Sequence, residues 1–515
     1  MRRSSIVYGS ALLTIFTFLG AIPNEVHAAS GLGVRPATFV TLNTLATGPR
    51  RDLAPKRVTV LPTTVTISPQ EKLAKVPPLA YGMNTAVWDA NLFSEAVPGR
   101  LQQLGIRMLR WPGGSYADQY HWNSALFEFD QFMNLAKQVR ATPMLTVNYG
   151  TGSPQEAASW VAYVKKHHED ALWEIGNELY GDGEYQGVTW EANYHQDKSP
   201  AGYGKNALKY IAAMRKVDPH AQIGVVATIP TVWPSGIQPY WDRTLLPIVG
   251  KDINFVIVHW YPENPGQEND ASLLQTTLSI ADYMSQLRSY IDQYCGSNAK
   301  NVKILVDETN SVSGNPGKQM MSMVNGLFLA NDYNTWLENG ASDVSWWDLH
   351  NNSNAGNTDS SLYGSATYGD YGILAQGDKG EPALNTPTAS FWAYRMVELF
   401  AQPGDQYVQA NSDQPMVNAY AATTGKATTS VMLVNTDPSD SYRVSLRGLN
   451  IPKDSMMTEF IYGAGTAGAN ALGGSQIKFD PNTMAGPIVQ KALTYGSGTV
   501  EVPPYSMVVL DLVNR

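Results

Sequence analysis

The chain has 515 residues, a formal charge of −9 at pH 7 and one cysteine, Cys295. The acidic balance argues against nucleic acid or an anionic membrane as partner, and a lone cysteine excludes both an intrachain disulfide and a cysteine-based metal cage. With only 16% charged residues against 10% aromatic ones, the composition suits a large, densely packed enzyme and not a disordered chain.

Arg2 and Arg3 precede a mostly apolar stretch from Ile6 to Ile22, and Val26-His27-Ala28 follows. This pattern predicts a signal peptide over 1–28 and a secreted, extracellular protein with no membrane attachment once the peptide is removed. Residues 29–56 have little pattern and read as a linker. The segment RVTVLPTTVTIS (57–68) is strand-like and has no partner nearby. Residues 57–76 are therefore expected to cross over and complete a sheet formed by the far end of the chain.

Eight short apolar runs follow: LAYGMN (79–84), IRMLRWPGG (106–114), PMLTVNYG (143–150), LWEIGNE (172–178), QIGVVAT (222–228), NFVIVHWY (254–261), KILVDET (303–309) and DVSWWDLH (343–350). Amphipathic stretches separate them, as in 153–169, where Ala157, Trp160, Val161 and Val164 share one helical face. Others cover 205–217, 273–294 and 319–340, and a last helix is expected to start with Thr386 as cap and Pro387 as first residue. Eight strand–helix units predict an α/β fold, a closed (β/α)8 TIM barrel over 77–401. An open doubly wound sheet would need a Gly-rich loop after its first strand, and none is present. From about Gln402 the periodicity changes to alternating strands with turn signals, which predicts an all-β sandwich over 402–515.

In such a barrel the strands open at their carboxyl ends into the active site. Glu178 ends the fourth strand and Glu308 the seventh, so two carboxylates distant in sequence are expected to face one another at the mouth. A facing pair of this kind suits cleavage of a glycosidic bond. Glu174 lies about 13 Å deeper along the same strand, and a buried ion pair with an arginine is its expected role. Asp307 should point away from Glu308 by the two-residue period, toward the helix layer or a loop. Of Trp346 and Trp347 only one can face the mouth, and Trp347 is the choice. None of the eight histidines falls in a metal-ligand spacing, so neither metal nor cofactor is expected.

The pair Asn177-Glu178 with Glu308 resembles the acid/base and nucleophile signature of the large clan of retaining (β/α)8 glycoside hydrolases. LRWPGGS (109–115), VHWYP (258–262), DETNS (307–311) and SWWDLH (345–350) are together similar to its α-L-arabinofuranosidase and endoglucanase family, family 51. The resemblance implies double displacement, with Glu178 as general acid/base and Glu308 as nucleophile. Glu308 must be ionised, with Arg110 and Tyr261 as donors, whereas Glu178 must start protonated, its pKa raised by an aromatic wall and by the charge of Glu308. Asn177 would bind the hydroxyl beside the anomeric carbon; His259, Trp347 and Asn84 complete the expected substrate contacts. One departure is Ser115, which stands where many such arabinofuranosidases have asparagine and leaves the sugar at the reaction subsite open. The expected function is a secreted α-L-arabinofuranosidase-like hydrolase acting on arabinoxylan, arabinan or β-glucan. The alternatives are an endo-β-1,4-glucanase or xylanase on the same scaffold and, more remotely, a non-catalytic carbohydrate-binding protein.

Overall fold

A computed structural model describes residues 59–513, apart from 168, 182–188, 231–237, 356–357, 426–427, 450, 452–454, 465–487 and 495–497. The expected signal peptide and linker lie outside the described residues. Among those described, eight parallel strands close a barrel in chain order: β2 (Tyr81–Asn84), β3 (Met108–Trp111), β4 (Thr142–Val147), β5 (Leu172–Ile175), β6 (Gln222–Val226), β7 (Phe255–Trp260), β8 (Lys303–Thr309) and β9 (Asp343–Trp346). Each apolar run of the sequence supplies one strand. Both faces of these strands are covered, which is why they read as continuous apolar runs and not as an alternation.

Local signals set the helix starts. Helix Pro154–Lys166 has Ser153 accepting from the Glu156 amide and proline at its first position, and it buries Ala157, Trp160, Val161 and Val164. Helix Pro200–Val217 starts five residues earlier than its apolar pattern suggests, because Ser199 caps it and Pro200 opens it. The last helix, in contrast, is Ala389–Phe400. Thr386 instead bonds the Ala383 carbonyl, and Pro387 forms a bridge with Leu374, so both belong to a turn ahead of the helix. Among the described residues no helix is long and apolar enough to cross a membrane.

The remaining strands are β1 (Val60–Lys75), β10 (Gln406–Ser412), β11 (Val417–Thr424), β12 (Thr428–Asn435), β13 (Ser441–Arg447), β14 (Met456–Gly463), β15 (Val489–Thr494), β16 (Thr499–Val502) and β17 (Ser506–Val513). They form one sheet in the order β15-β14-β17-β12-β11-β10-β1-β13-β16. The N-terminal strand β1 pairs antiparallel with β10 and parallel with β13, which is the expected crossover. The sheet folds over a core of its own, in which Val65 and Ile67 of β1 meet Val431, Leu433, Val444, Val508 and Leu510. The alternate residues Met432, Val434, Met507 and Val509 join the core of the barrel. This two-residue alternation glues the sheet to helix Met323–Glu338, which is buried along nearly its whole circumference because the sheet covers its outer side. Tyr407 Oη adds a bond of 2.8 Å to Asn334 Oδ1 across the junction.

Candidate active site

Strand β5 ends at Ile175, and the chain then turns sharply. Gly176 has φ +73° and Glu178 φ +35°. The second value is one that L residues other than glycine seldom adopt, and such strain gathers where a side chain must be aimed. Asp118, fully buried, holds the turn: one oxygen accepts from the Asn177 amide at 2.9 Å, the other from the amides of Tyr149 and Gly150 at 3.0 and 3.1 Å. Burial pushes the Asp118 carboxyl up to about 7 against the pull of those bonds.

Glu178 and Glu308 face one cavity of about 580 Å³, which Asn177, His259, Tyr261 and Trp347 also line. His259 stands between the two glutamates, Nδ1 lying 2.8 Å from Glu178 Oε1 and 3.3 Å from Glu308 Oε2. Its Nε2 lies 3.0 Å from Asp307 Oδ1. Burial disfavours a charged imidazole, but the surrounding carboxylates win and raise the His259 pKa well above 6.5, which favours the imidazolium with a proton on each ring nitrogen. Trp347 lines the cavity, while Trp346 is fully buried against Phe328 and Tyr333 in the helix layer.

Arg110 reaches Glu308 as expected, but neither it nor Asn84 takes the expected place as a substrate contact. Both are fully buried beneath the cavity and do not line it. The Arg110 guanidinium donates to Glu308 Oε1 at 2.5 Å, to Asn84 Oδ1 at 3.1 Å, to Asn177 Oδ1 at 2.6 Å, and through two nitrogens to Glu174 at 2.8 and 3.2 Å. Glu174 thus has its buried arginine, two strands away. Asp307 departs from its expected orientation. Its Oδ2 lies 3.1 Å from Arg110 Nε, inside the barrel. The cause is a β-bulge: Val258 pairs with Val306 but His259 with Glu308, so β8 carries one extra residue and the alternation of faces breaks there.

The pKa shifts of the two glutamates run opposite to the sequence expectation. Burial alone would raise Glu178, but His259 Nδ1 at 2.8 Å, Trp190 Nε1 at 2.6 Å and Tyr180 Oη at 3.2 Å all donate to it and hold it below the ordinary carboxylate value. Burial raises Glu308, opposed by the charges of His259 and Arg110 and reinforced by that of Glu178. Tyr261 Oη donates to Glu308 Oε2 at 2.9 Å.

Trp190 and Glu191 are partners that sequence reasoning missed. Glu191, buried, accepts from Asn177 Nδ2 at 2.7 Å and from Ser115 Oγ at 2.5 Å. Two adjacent residues therefore clamp the adjacent pair Asn177-Glu178. Their only signal was membership of the loop 181–200, rich in Gly, Asn and Tyr.

Two groups, Glu174–His259–Asp307 and Glu178–His259–Glu308, bring ligand-type atoms within 4.8 Å of one another. Spacing along the chain could not reveal them, because their members come from three strands. A cation in the outer group would have to displace the proton between His259 Nδ1 and Glu178, and Arg110 already supplies positive charge in the deeper group.

No family profile matches the chain. An intracellular exo-α-L-arabinofuranosidase of Bacteroides ovatus is 22% identical over 280 residues, 44% of this chain and 50% of that protein. An intracellular exo-α-(1→5)-L-arabinofuranosidase of Acetivibrio thermocellus is 21% identical over 303 residues, 48% of this chain and 58% of its own length. The chain thus spans about half the length of these curated relatives. Both are named as intracellular enzymes, which overturns the expectation of a secreted protein drawn from residues 1–28. The crystal structure of an α-L-arabinofuranosidase from Thermotoga maritima superposes with a TM-score of 0.67 at 17% identity, over 88% of this chain and all of that one. Over part of its length in sequence and most of its length in fold, the chain is similar to the α-L-arabinofuranosidases of glycoside hydrolase family 51.

Proposed function

We propose that the chain is a retaining glycoside hydrolase of the α-L-arabinofuranosidase type, acting on carbohydrate that carries arabinofuranosyl groups. The observation that carries this reading is the meeting of Glu178 and Glu308 on one cavity, bridged by His259. Carboxylate oxygens of the two lie within 4.8 Å. Retaining enzymes keep their carboxyl groups about 5–5.5 Å apart, whereas inverting ones leave about 6.5–9.5 Å for a water. In this reading residues 77–401 are the catalytic domain, and the sheet built from 57–76 and 402–515 is its packing partner.

Glu308, held by Arg110 and Tyr261, attacks the anomeric carbon and forms a glycosyl ester as the glycosidic bond breaks. Glu178 delivers a proton to the leaving oxygen. In the free site that proton rests on His259 Nδ1, and it crosses the 2.8 Å hydrogen bond to Glu178 as the reaction demands an acid. Glu178 then removes a proton from water, which attacks the anomeric carbon and frees Glu308. Asn177 is oriented for the neighbouring sugar hydroxyl by the bonds from Arg110 and to Glu191. Trp347 supplies an apolar wall, and Arg110 and Asn84 act from below through Glu308, Asn177 and Asp307.

The test is hydrolysis of an aryl α-L-arabinofuranoside beside carboxymethyl-cellulose and xylan. Release of the aryl alcohol with no fall in polymer viscosity is the expected result. An inert arabinoside with falling viscosity would replace this reading by the endo-glucanase or xylanase one.

A further inference from the structure

Three aromatic side chains of the cavity are placed in a way that the two glutamates do not explain. Trp347, Trp88 and Tyr116 all line it, and Trp88 and Tyr116 remain 45% and 47% exposed. Ring centroids are 6.3 Å apart between Trp347 and Trp88 and 6.4 Å between Trp88 and Tyr116. Single exposed aromatics are ordinary, but a contacting row that runs from a cavity to its rim is not scatter.

Trp88 is exposed yet firmly perched. The Val87 amide donates to the Pro112 carbonyl at 2.8 Å. On its other side Asp89, buried, lies 2.8 Å from His350 Nδ1, and His350 Nε2 lies 2.9 Å from Asn385 Oδ1. A buried polar relay thus fixes a loop whose next side chain is left in water. Trp347 is seated as tightly, since a Cβ on Gly114, at φ +49°, would come within 2.8 Å of its Cη2 atom.

We infer that Trp347, Trp88 and Tyr116 form a stacking track that carries the second sugar of a pentose oligosaccharide or polysaccharide away from the reacting bond. The proposal rests on the glycosidase reading. The C–H face of a sugar ring is apolar with slightly positive hydrogens, which suits the negative face of an indole. The two indoles are inclined at 50°, so they cannot share one flat ring and instead serve two successive ones. Glu308 is buried whereas Trp88 and Tyr116 are exposed, so the ring stacked on Trp88 is the outer one, which in exo-cleavage belongs to the leaving group.

The experiment compares kcat/KM on α-1,5-arabinotriose with kcat/KM on α-L-arabinofuranosyl fluoride, which has no second ring. The ratio of the two should fall about tenfold in Trp88→Ala, chiefly through KM, and stay within about twofold in Trp88→Phe. An unchanged ratio in Trp88→Ala overturns the track. Calorimetric titration of arabinotriose into Glu308→Gln and into Glu308→Gln/Trp88→Ala reads the track without turnover. Affinity should be about tenfold weaker in the double variant; equal affinities, or binding to neither, overturn the proposal. Wild type that hydrolyses neither substrate while the calorimetric difference persists sinks the glycosidase reading and leaves the track standing.

Discussion

Two buried regions of this protein are built on opposite principles. The floor of the cavity packs Arg110, Glu174 and Asp307, all fully buried, into a continuous network with Glu308 and His259. The core of the C-terminal sheet is apolar, with Val65, Ile67, Val431, Leu433, Val508 and Leu510 in contact. Apolar burial stabilises by area and tolerates rearrangement, whereas a buried ion network contributes little net stability and fixes geometry. The floor is therefore the place where this chain gives up stability to hold side chains in position.

The largest expected effects fall on the two glutamates above the floor. Glu308→Gln should lower kcat by about 10⁴-fold or more with the fold intact by circular dichroism. Glu178→Gln should cost about 10²–10⁴-fold, with much of the loss regained on substrates whose leaving group needs no proton. Wild-type rates in both variants would move the active site elsewhere.

Next in size is Arg110→Met, which leaves several buried carboxylates uncompensated and should destabilise by about 3–5 kcal/mol in denaturant titrations. It also has a pH signature. Glu308 must be ionised to attack; the positive charge of Arg110 lowers its pKa, so removing that charge raises it. The acidic limb of the pH–rate profile should then move to higher pH, and a limb that stays in place would mean that Glu308 does not set it. Leu433→Ala in the sheet core should cost about 2–5 kcal/mol of stability and leave the limb where it was. If the two variants behaved alike, the contrast between floor and sheet would fail.

The same contrast separates what the sequence disclosed from what it hid. The eight apolar runs carried the barrel because buried parallel strands need nothing else, and β1 was legible because a strand without a neighbour must find one. Glu178 and Glu308 were legible because strand ends in a barrel converge by topology. Asp307 was not, since a single extra residue in β8 reverses its face and no residue pattern marks the bulge. The protonation of Glu178 was misread for a similar reason. His259, Trp190 and Tyr180 reach it from three directions, and only the folded chain shows that donors outweigh the desolvating wall. Trp190 and Glu191 stood behind a loop that returns to its own strand end, a contact that no spacing rule encodes.

Glu191 gives the smallest and most discriminating test. Its Oε1 accepts from Asn177 and Ser115, and burial with the nearby charges of Asp118 and Glu178 pushes its pKa well above the ordinary carboxylate value. Burial and the two neighbouring carboxylates thus favour the protonated form of Glu191 over the charged one. Glutamine keeps the accepting oxygen and puts a donor where the acid proton was. Glu191→Gln should therefore change kcat by no more than about threefold, within the roughly 1 kcal/mol of one neutral hydrogen bond, and leave both limbs of the pH–rate profile in place. An ionised Glu191 predicts the reverse: loss of its charge would lower the pKa values of Glu178 and His259 and shift the basic limb to lower pH. Glu191→Ala, which frees Asn177 on one side, should lower kcat about tenfold or more in either case, so the glutamine variant is the one that reads the proton.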